Sequence, residues 1–216
     1  MSARRWRRPD YALDAQALAA RLLGARLVRV TRGGTRVSGI IVETEAYLGV
    51  EDLASHAAGG RRTARNESMY GPAGTAYVYF TYGMHHCFNI VGAKRDEPAA
   101  VLVRALRPVE GLSLMRRRRG GAIPDRLLCA GPGRLTQALG IDLRQDGLDL
   151  CAEEGLWIED GEPVGEVART ARIGVGYAGE WAGAPLRWAA AGDPHLSRPV
   201  KSALQSGGRK GSGPIG

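Results

Sequence analysis

The stretch RLVRVTRGGTRVSGIIVETEAY, residues 26–47, decides the fold. Its first part is a short run with Leu27, Val28 and Val30, and its last part carries Val37, Ile40, Ile41 and Val42. Gly33-Gly34 stands between them. Two β-branched runs on either side of a Gly-Gly pair predict a hairpin, with strands over 26–32 and 37–47. The second strand ends on two acids and an aromatic, Glu43, Glu45 and Tyr47. Residues two apart on a strand share a face, so regular alternation sets Ile41, Glu43, Glu45 and Tyr47 on one side and Ile40, Val42 and Thr44 on the other.

Working outward, GTAYVYFTY (74–82) and HHCFNIV (85–91) read as two more strands joined at Gly83, and 99–106 as another. Trp157-Ile158 and 164–175 read as late strands. Helical spacing of Leu18 and Leu22 before Gly24 predicts a helix over 10–23. Pro108 is placed to open a second helix through VEGLSLMRRRR, and 133–139 makes a short third. Residues 49–73 form a Gly- and Arg-rich loop. Residues 1–9 read as a mobile basic arm, and the Gly/Ser-rich 204–216 as a disordered tail. Neither repeats nor a linker divide the chain, which sets one domain over 10–203. Strands joined by short turns favour an antiparallel sheet with flanking helices, a mixed α+β architecture.

The composition narrows the chemistry. Thirty Lys and Arg against 22 Asp and Glu give a formal charge of +8, a field that gathers polyanions. Only Lys94, Lys201 and Lys210 are lysines. None sits in an apolar stretch of the kind that depresses a lysine pKa for Schiff-base catalysis. Cys87, Cys129 and Cys151 lie far apart with no C-x-x-C pair, which argues against an iron–sulfur cluster or a cysteine-rich zinc site and for reduced intracellular thiols. The arginines near the N-terminus precede no apolar run, so no secretory signal is expected, and no stretch approaches the ~18 apolar residues of a membrane span. Neither a metal nor another cofactor is expected.

Three constellations carry candidate chemistry. On this motif alone Glu43 and Glu45 fit a solvated strand face best, and fit second a carboxylate that activates water beside the aromatic floor of Tyr47. Spacing does not choose between the two acids. The loop bearing Asp52, His56, Arg61, Arg62, Thr63, Arg65 and Asn66 fits an ordinary flexible connection, or one that brings guanidinium and backbone groups to phosphates at Arg61 and Thr63. Tyr77 and Tyr79 fit core packing. Tyr82, beside Gly83 and Met84 at a hairpin tip, is harder to place in a core, and such a side chain can wedge between bases.

ETEAY (43–47), DLASHAAGGRRTARNESMYGPAGTAYVYFTYGMHHCFNIV (52–91), VLVRALRPVEG (101–111), GPGRLTQALGI (131–141) and RIGVGYAGEWAGAPLRW (172–188) together resemble the alkyladenine (3-methyladenine) DNA glycosylase family over residues 15–190. The resemblance implies a single mixed α+β domain with a curved antiparallel sheet, flanking helices and a protruding hairpin. It implies a monofunctional glycosylase of base excision repair. Such an enzyme flips alkylated purines, 3-methyladenine and 7-methylguanine, out of double-stranded DNA and hydrolyses their N-glycosidic bond, leaving an abasic site. By the same resemblance Glu45 is the general base, and Tyr47, His56 and Tyr79 are walls of the base pocket. Asn89 is a floor residue that clashes with the amino group of normal guanine, and Val175 lies in the segment closing the pocket. Tyr82 enters the space left by the flipped nucleotide, while Arg61, Thr63, Met84 and Arg104 lie against DNA. A monomer in the cytoplasm, associated with the nucleoid, is the matching expectation.

The hairpin reads YGMHH, with His85 where an aromatic can stand, and a charged KRDEP segment (94–98) follows Asn89. These departures bear on substrate breadth. Purines alkylated at N3 or N7 are cationic and gain about 0.5–2 kcal/mol per aromatic wall from cation–π stacking. Neutral lesions such as hypoxanthine and etheno-adenine gain less and are expected to be excised more weakly. Two other readings compete: a non-catalytic nucleic-acid-binding module of related fold, and a metal-dependent nuclease using Glu43, Glu45 and Asp52.

Overall fold

In the computed structural model, which describes residues 3–152 and 154–201, the 26–47 stretch forms the predicted hairpin. Its strands are β1 (Arg26–Val30) and β2 (Arg36–Tyr47), antiparallel with Val28 opposite Ser38. After them come β3 (Ala76–Thr81), β4 (His85–Val91), β5 (Ala100–Glu110), β6 (Leu156–Glu159), β7 (Val167–Thr170) and β8 (Arg187–Ala190). All pairings are antiparallel, in the order β3-β4-β5-β2-β1-β6. The long β2 lies against β5 on one side. On the other it meets β1 first and then β8, opposite Glu43–Glu45, with β7 beyond. The acids of β2 are therefore held between strands on both sides, which argues against a solvated face. The mixed α+β, single-domain, antiparallel reading is the observed fold.

The helices are α1 (Arg8–Tyr11), α2 (Ala15–Leu22), α3 (Leu112–Arg118), α4 (Asp125–Leu128) and α5 (Pro132–Leu139). Tyr11, Leu18 and Leu22 share a core with Leu27, Val37, Ile41, Val101, Leu106 and Leu135. Burying such side chains contributes about 1.5–3 kcal/mol each.

Five expectations need correction. The helix over 10–23 is two helices, because Asp14 turns back to cap α2, accepting from the backbone N–H of Gln16 and Ala17 at 2.9 Å each. The basic arm is pinned over residues 3–8. Trp6 is buried against Tyr11 (ring centroids 5.4 Å apart) and donates to Asp160 at 3.0 Å, and Arg4 pairs with Asp10 and Asp160. Pro108 opens no helix: β5 runs on to Glu110, and the chain turns into α3 at Gly111, whose φ of 75° suits glycine. Of 164–175 only Val167–Thr170 is strand, since Arg172 turns inward to Asp52. Strict alternation along β2 fails at a bulge. Ile41 pairs with Leu106 and Glu43 with Ala105, which leaves Val42 as an extra residue. Ile41 thus packs with Ala46 in the main core, and Val42 with Ala105 and Ala189 beneath the other face. The tail reading of 204–216 lies outside the described residues.

Candidate active site

Beyond the bulge, β2 presents Glu43 and Glu45 on one face, both fully buried. Glu43 is saturated. Its Oε1 accepts from Arg187 Nε at 2.7 Å, Arg104 Nε at 3.2 Å and Ser197 Oγ at 2.7 Å, and its Oε2 accepts from the Ser197 N–H at 2.6 Å. Glu45 receives three donors: Ile173 N–H on Oε1 at 2.7 Å, and Tyr47 O–H and Arg104 Nη1 on Oε2 at 3.0 and 3.2 Å. Burial pushes the Glu45 carboxyl above the ordinary glutamate range, and Arg104, the Ile173 N–H and the Tyr47 hydroxyl pull against that shift. Every hydrogen-bond partner of this carboxylate is a donor, which favours an acceptor-only, ionised carboxylate against burial and the nearby Glu43 charge. The structure thereby separates the two acids that spacing left equivalent. Glu43 fixes Arg104 and Arg187, while Glu45 keeps acceptor capacity beside Tyr47.

Tyr47 leads into a narrow cleft lined by His56, Met69, Tyr77, Tyr79, Asn89 and Tyr177 among others. His56 and Tyr79 meet edge to face with ring centroids 4.5 Å apart, and Tyr77 lies 5.4 Å from Tyr79. His56 Nδ1 shares a 2.7 Å hydrogen bond with the Tyr77 hydroxyl. Burial first, then Arg65 and Arg61, lower its proton affinity, so the ring is a neutral imidazole at pH 7. Asn89 is buried with its amide donating to the Tyr77 carbonyl at 3.0 Å, which fixes the amide in the cleft lining. The result is a flat, aromatic, largely neutral slot one hydrogen bond from a buried carboxylate.

Beside the cleft, β3 and β4 project a hairpin. Tyr82 and Gly83 have φ of 52° and 69°, and Met84 N–H donates to Thr81 O at 3.2 Å. Two consecutive positive φ values make a type I′ turn, in which a tyrosine is an uncommon occupant. The tip bares Tyr82 (84% exposed), Met84 (69%) and Phe80 (43%). Arg61 and Thr63 sit on the exposed loop, where Thr63 is held by Asn66 Oδ1 through its N–H at 2.7 Å and its hydroxyl at 3.0 Å.

Of the expected site residues, Glu45, Tyr47, His56, Tyr79 and Asn89 converge on the cleft, with Arg104 behind it. Arg104 is buried, with its guanidinium shared among Glu43, Glu45 and Ser197. Val175 packs with Ala54, Ala178 and Tyr47 rather than lining the cleft. Tyr82 and Met84 stand apart at the hairpin tip.

Sequence reasoning missed Arg172, Arg187, Ser197 and Tyr177. Arg172 is wholly buried, paired with Asp52 through Nη1 and through Nη2 at 2.8 Å, and bonded to the Ala46 carbonyl at 2.9 Å. It thereby holds the next residue, Ile173, on Glu45. Arg172, Tyr177 and Arg187 all lie in the segment RIGVGYAGEWAGAPLRW, which signalled the region without assigning them roles. Glu43, Glu45 and Asp52 do not form a metal cage. Arg104, Arg187 and Arg172 answer their charges, and among the described residues no group of three or more His, Cys, Asp or Glu is placed to hold a metal ion.

The chain matches a family model described as methylpurine-DNA glycosylase over residues 9–194. It is 48% identical to the DNA-3-methyladenine glycosylase of Homo sapiens across 83% of this chain and 63% of that protein. It is 46% identical to the mouse protein of the same name, across 85% and 58%. With a Myxococcus xanthus protein provisionally named 3-methyladenine DNA glycosylase it shares 50% identity, covering 87% of this chain and 91% of that one. The chain thus spans about six tenths of the length of the mammalian relatives.

Proposed function

Because the chain belongs to the methylpurine-DNA glycosylase family, we propose that it excises alkylated purines, 3-methyladenine and 7-methylguanine, from double-stranded DNA by hydrolysing the N-glycosidic bond. The observation that carries this reading is Glu45, a fully buried carboxylate whose hydrogen-bond partners are all donors, joined through Tyr47 to an aromatic cleft.

The duplex docks on the hairpin face, and Tyr82 fills the gap as the damaged nucleotide leaves the stack. Flipping costs a few kcal/mol, least where pairing is already weakened. The purine enters between Tyr47, His56 and Tyr79, and Asn89 tests its edge at the floor. Arg104 holds Glu45 so that its free lone pairs meet a water at C1′. As the C1′–N9 bond breaks, its electron pair leaves with the cationic purine, which departs neutral. Glu45 stabilises the oxocarbenium-like sugar and takes a proton from the water whose oxygen bonds to C1′. Free base and an abasic site result. Among the described residues the lysines, Lys94 and Lys201, are exposed and do not line the cleft, and the scheme proposed uses no Schiff-base step and no strand cleavage; Lys210 lies outside the described residues.

Arg61, Thr63 and Met84 fit contacts to the duplex, and the Val175 backbone fits closure over the bound purine. A monomer acting on chromosomal DNA inside the cell suits this reading. No helix among the described residues is long and apolar enough to cross a membrane.

Single-turnover release of 3-methyladenine from alkylated duplex DNA in excess EDTA, comparing wild type with Glu45→Gln, tests it. A general base contributes on the order of 10²–10⁴-fold, and the variant is expected to lose that much while binding lesion DNA as before. Equal release by both proteins removes Glu45 from the role. Binding without release by the wild type leaves a nucleic-acid-binding module.

A further inference from the structure

Two of the three aromatic walls of the cleft, Tyr47 and Tyr79, share a feature that the proposed chemistry does not use. Arg172 lies with its guanidinium carbon 4.7 Å from the Tyr47 ring centroid, and Arg65 lies 5.6 Å from that of Tyr79. Both tyrosines line the cleft and neither arginine does. Each wall therefore carries a guanidinium outside the slot. The two arginines differ in their surroundings. Arg172 is buried and its charge is answered by Asp52. Arg65 is exposed and its Nη2 donates to the Phe80 carbonyl at 3.2 Å, with no carboxylate paired to it among the described residues. Its field reaches into the slot, where burial first and then Arg65 keep the His56 imidazole uncharged.

An aromatic ring attracts a cation through the electron density on its faces. A guanidinium outside the slot already engages that density, and it repels a second positive charge arriving from inside, most strongly where water is excluded. A neutral purine stacks through dispersion and buried area, which the guanidinium leaves intact. The acids near the slot do not reverse this balance, because Glu43, Glu45 and Asp52 are matched by Arg104, Arg187 and Arg172.

Resting on the glycosylase reading above, we infer that Arg65 is a specificity-determining residue that backs the Tyr79 wall and lowers the cleft's preference for cationic alkylpurines over neutral purine lesions, whereas Arg172, neutralised by Asp52, adds little to that repulsion. The advantage of cationic bases expected from three aromatic walls is thereby reduced, and hypoxanthine competes more evenly with 7-methylguanine.

The test uses Arg65, whose exposure spares the fold; removing Arg172 strands Asp52 in the interior. Single-turnover excision of 7-methylguanine and of hypoxanthine is measured in one duplex context for wild type, Arg65→Gln and Arg65→Lys. A lost phosphate contact slows both lesions alike and cancels in their ratio. Arg65→Gln is expected to raise the cationic-to-neutral ratio roughly three- to tenfold, and Arg65→Lys to keep the wild-type ratio. An unchanged or lower ratio in Arg65→Gln overturns the inference, as does the same rise in Arg65→Lys. Failure of the glycosylase reading looks different: the wild type then releases neither base, and this inference falls with it.

Discussion

The end of β2 and the tip of the β3–β4 hairpin break opposite rules of protein structure. At β2, two acids are fully buried beside Arg104 and Arg187, 7% and 4% exposed, and every charge has a partner of opposite sign. At the tip, Tyr82, Met84 and Phe80 stand in solvent where apolar groups gain least. Buried charge is tolerated only in a rigid, fully bonded arrangement, which is what a reaction needing fixed electrostatics requires. Exposed aromatic surface on a strained turn does nothing for the isolated fold and becomes useful only against a partner. The two anomalies divide the proposed activity, chemistry at the first and extrusion of the nucleotide at the second. They also predict opposite responses to mutation.

The largest effect is expected at the buried end. Glu43→Ala leaves Arg104 and Arg187 facing one another without the carboxylate that joins them and removes both acceptors of Ser197. Breaking a buried pair from one side costs about 3–5 kcal/mol. Urea unfolding of Glu43→Ala is expected to lose that much, with excision lost alongside. A loss under 1 kcal/mol means that the cluster is not the rigid element described, and the contrast with the hairpin then fails.

How much of this contrast is legible in sequence depends on how local each part is. The hairpin is local: alternation in AYVYFT and HHCFNIV around Tyr82-Gly83 places the tip with no knowledge of the rest. The acids are half local. ETEAY marks the place, but Arg104, Arg172, Arg187 and Ser197 lie 59 to 154 residues from the carboxylates they meet. No periodicity connects them. Pro108 misleads because a proline opens helices and also tolerates an irregular strand edge, and pairing with β2, a tertiary fact, decided between these. The Val42 bulge escapes for a related reason. One extra residue flips every later side chain, and only the partner strand reveals it.

A second prediction sharpens the buried half through pH. The folded Glu45 carboxyl titrates above its ordinary range because burial disfavours its charge. A raised carboxyl contributes stability below its unfolded pKa of about 4.3 and loses that contribution as pH rises through the folded value. Catalysis runs the other way, since the base works only when ionised. The acid limb of single-turnover excision is therefore expected above pH 4.3, falling about tenfold per unit below its midpoint. Glu45→Gln has no such titration, so its stability relative to wild type should improve from acid to neutral pH. A limb at or below the ordinary glutamate value shows that Arg104 and its fellow donors outweigh burial.

The smallest effect belongs to the tip and has the opposite sign. Tyr82 occupies the first central position of a type I′ turn at φ 52°, next to Gly83 at 69°. Asn-Gly is among the pairs this turn favours most, because asparagine tolerates the left-handed region. A left-handed conformation costs an ordinary residue about 1–2 kcal/mol. The 84% exposed Tyr82 ring recovers little of that through burial. Tyr82→Asn is therefore expected to raise unfolding stability by about 1 kcal/mol while slowing excision from duplex DNA. Excision from a lesion opposite an abasic gap, where no partner base needs to be displaced, should suffer less. Stability that falls on this substitution means that the tyrosine packs for the fold, and the tip is then an ordinary turn. A gain in stability coupled to a loss of extrusion means that the fold gives up its best turn residue at the one place where a side chain must leave the protein and enter the duplex.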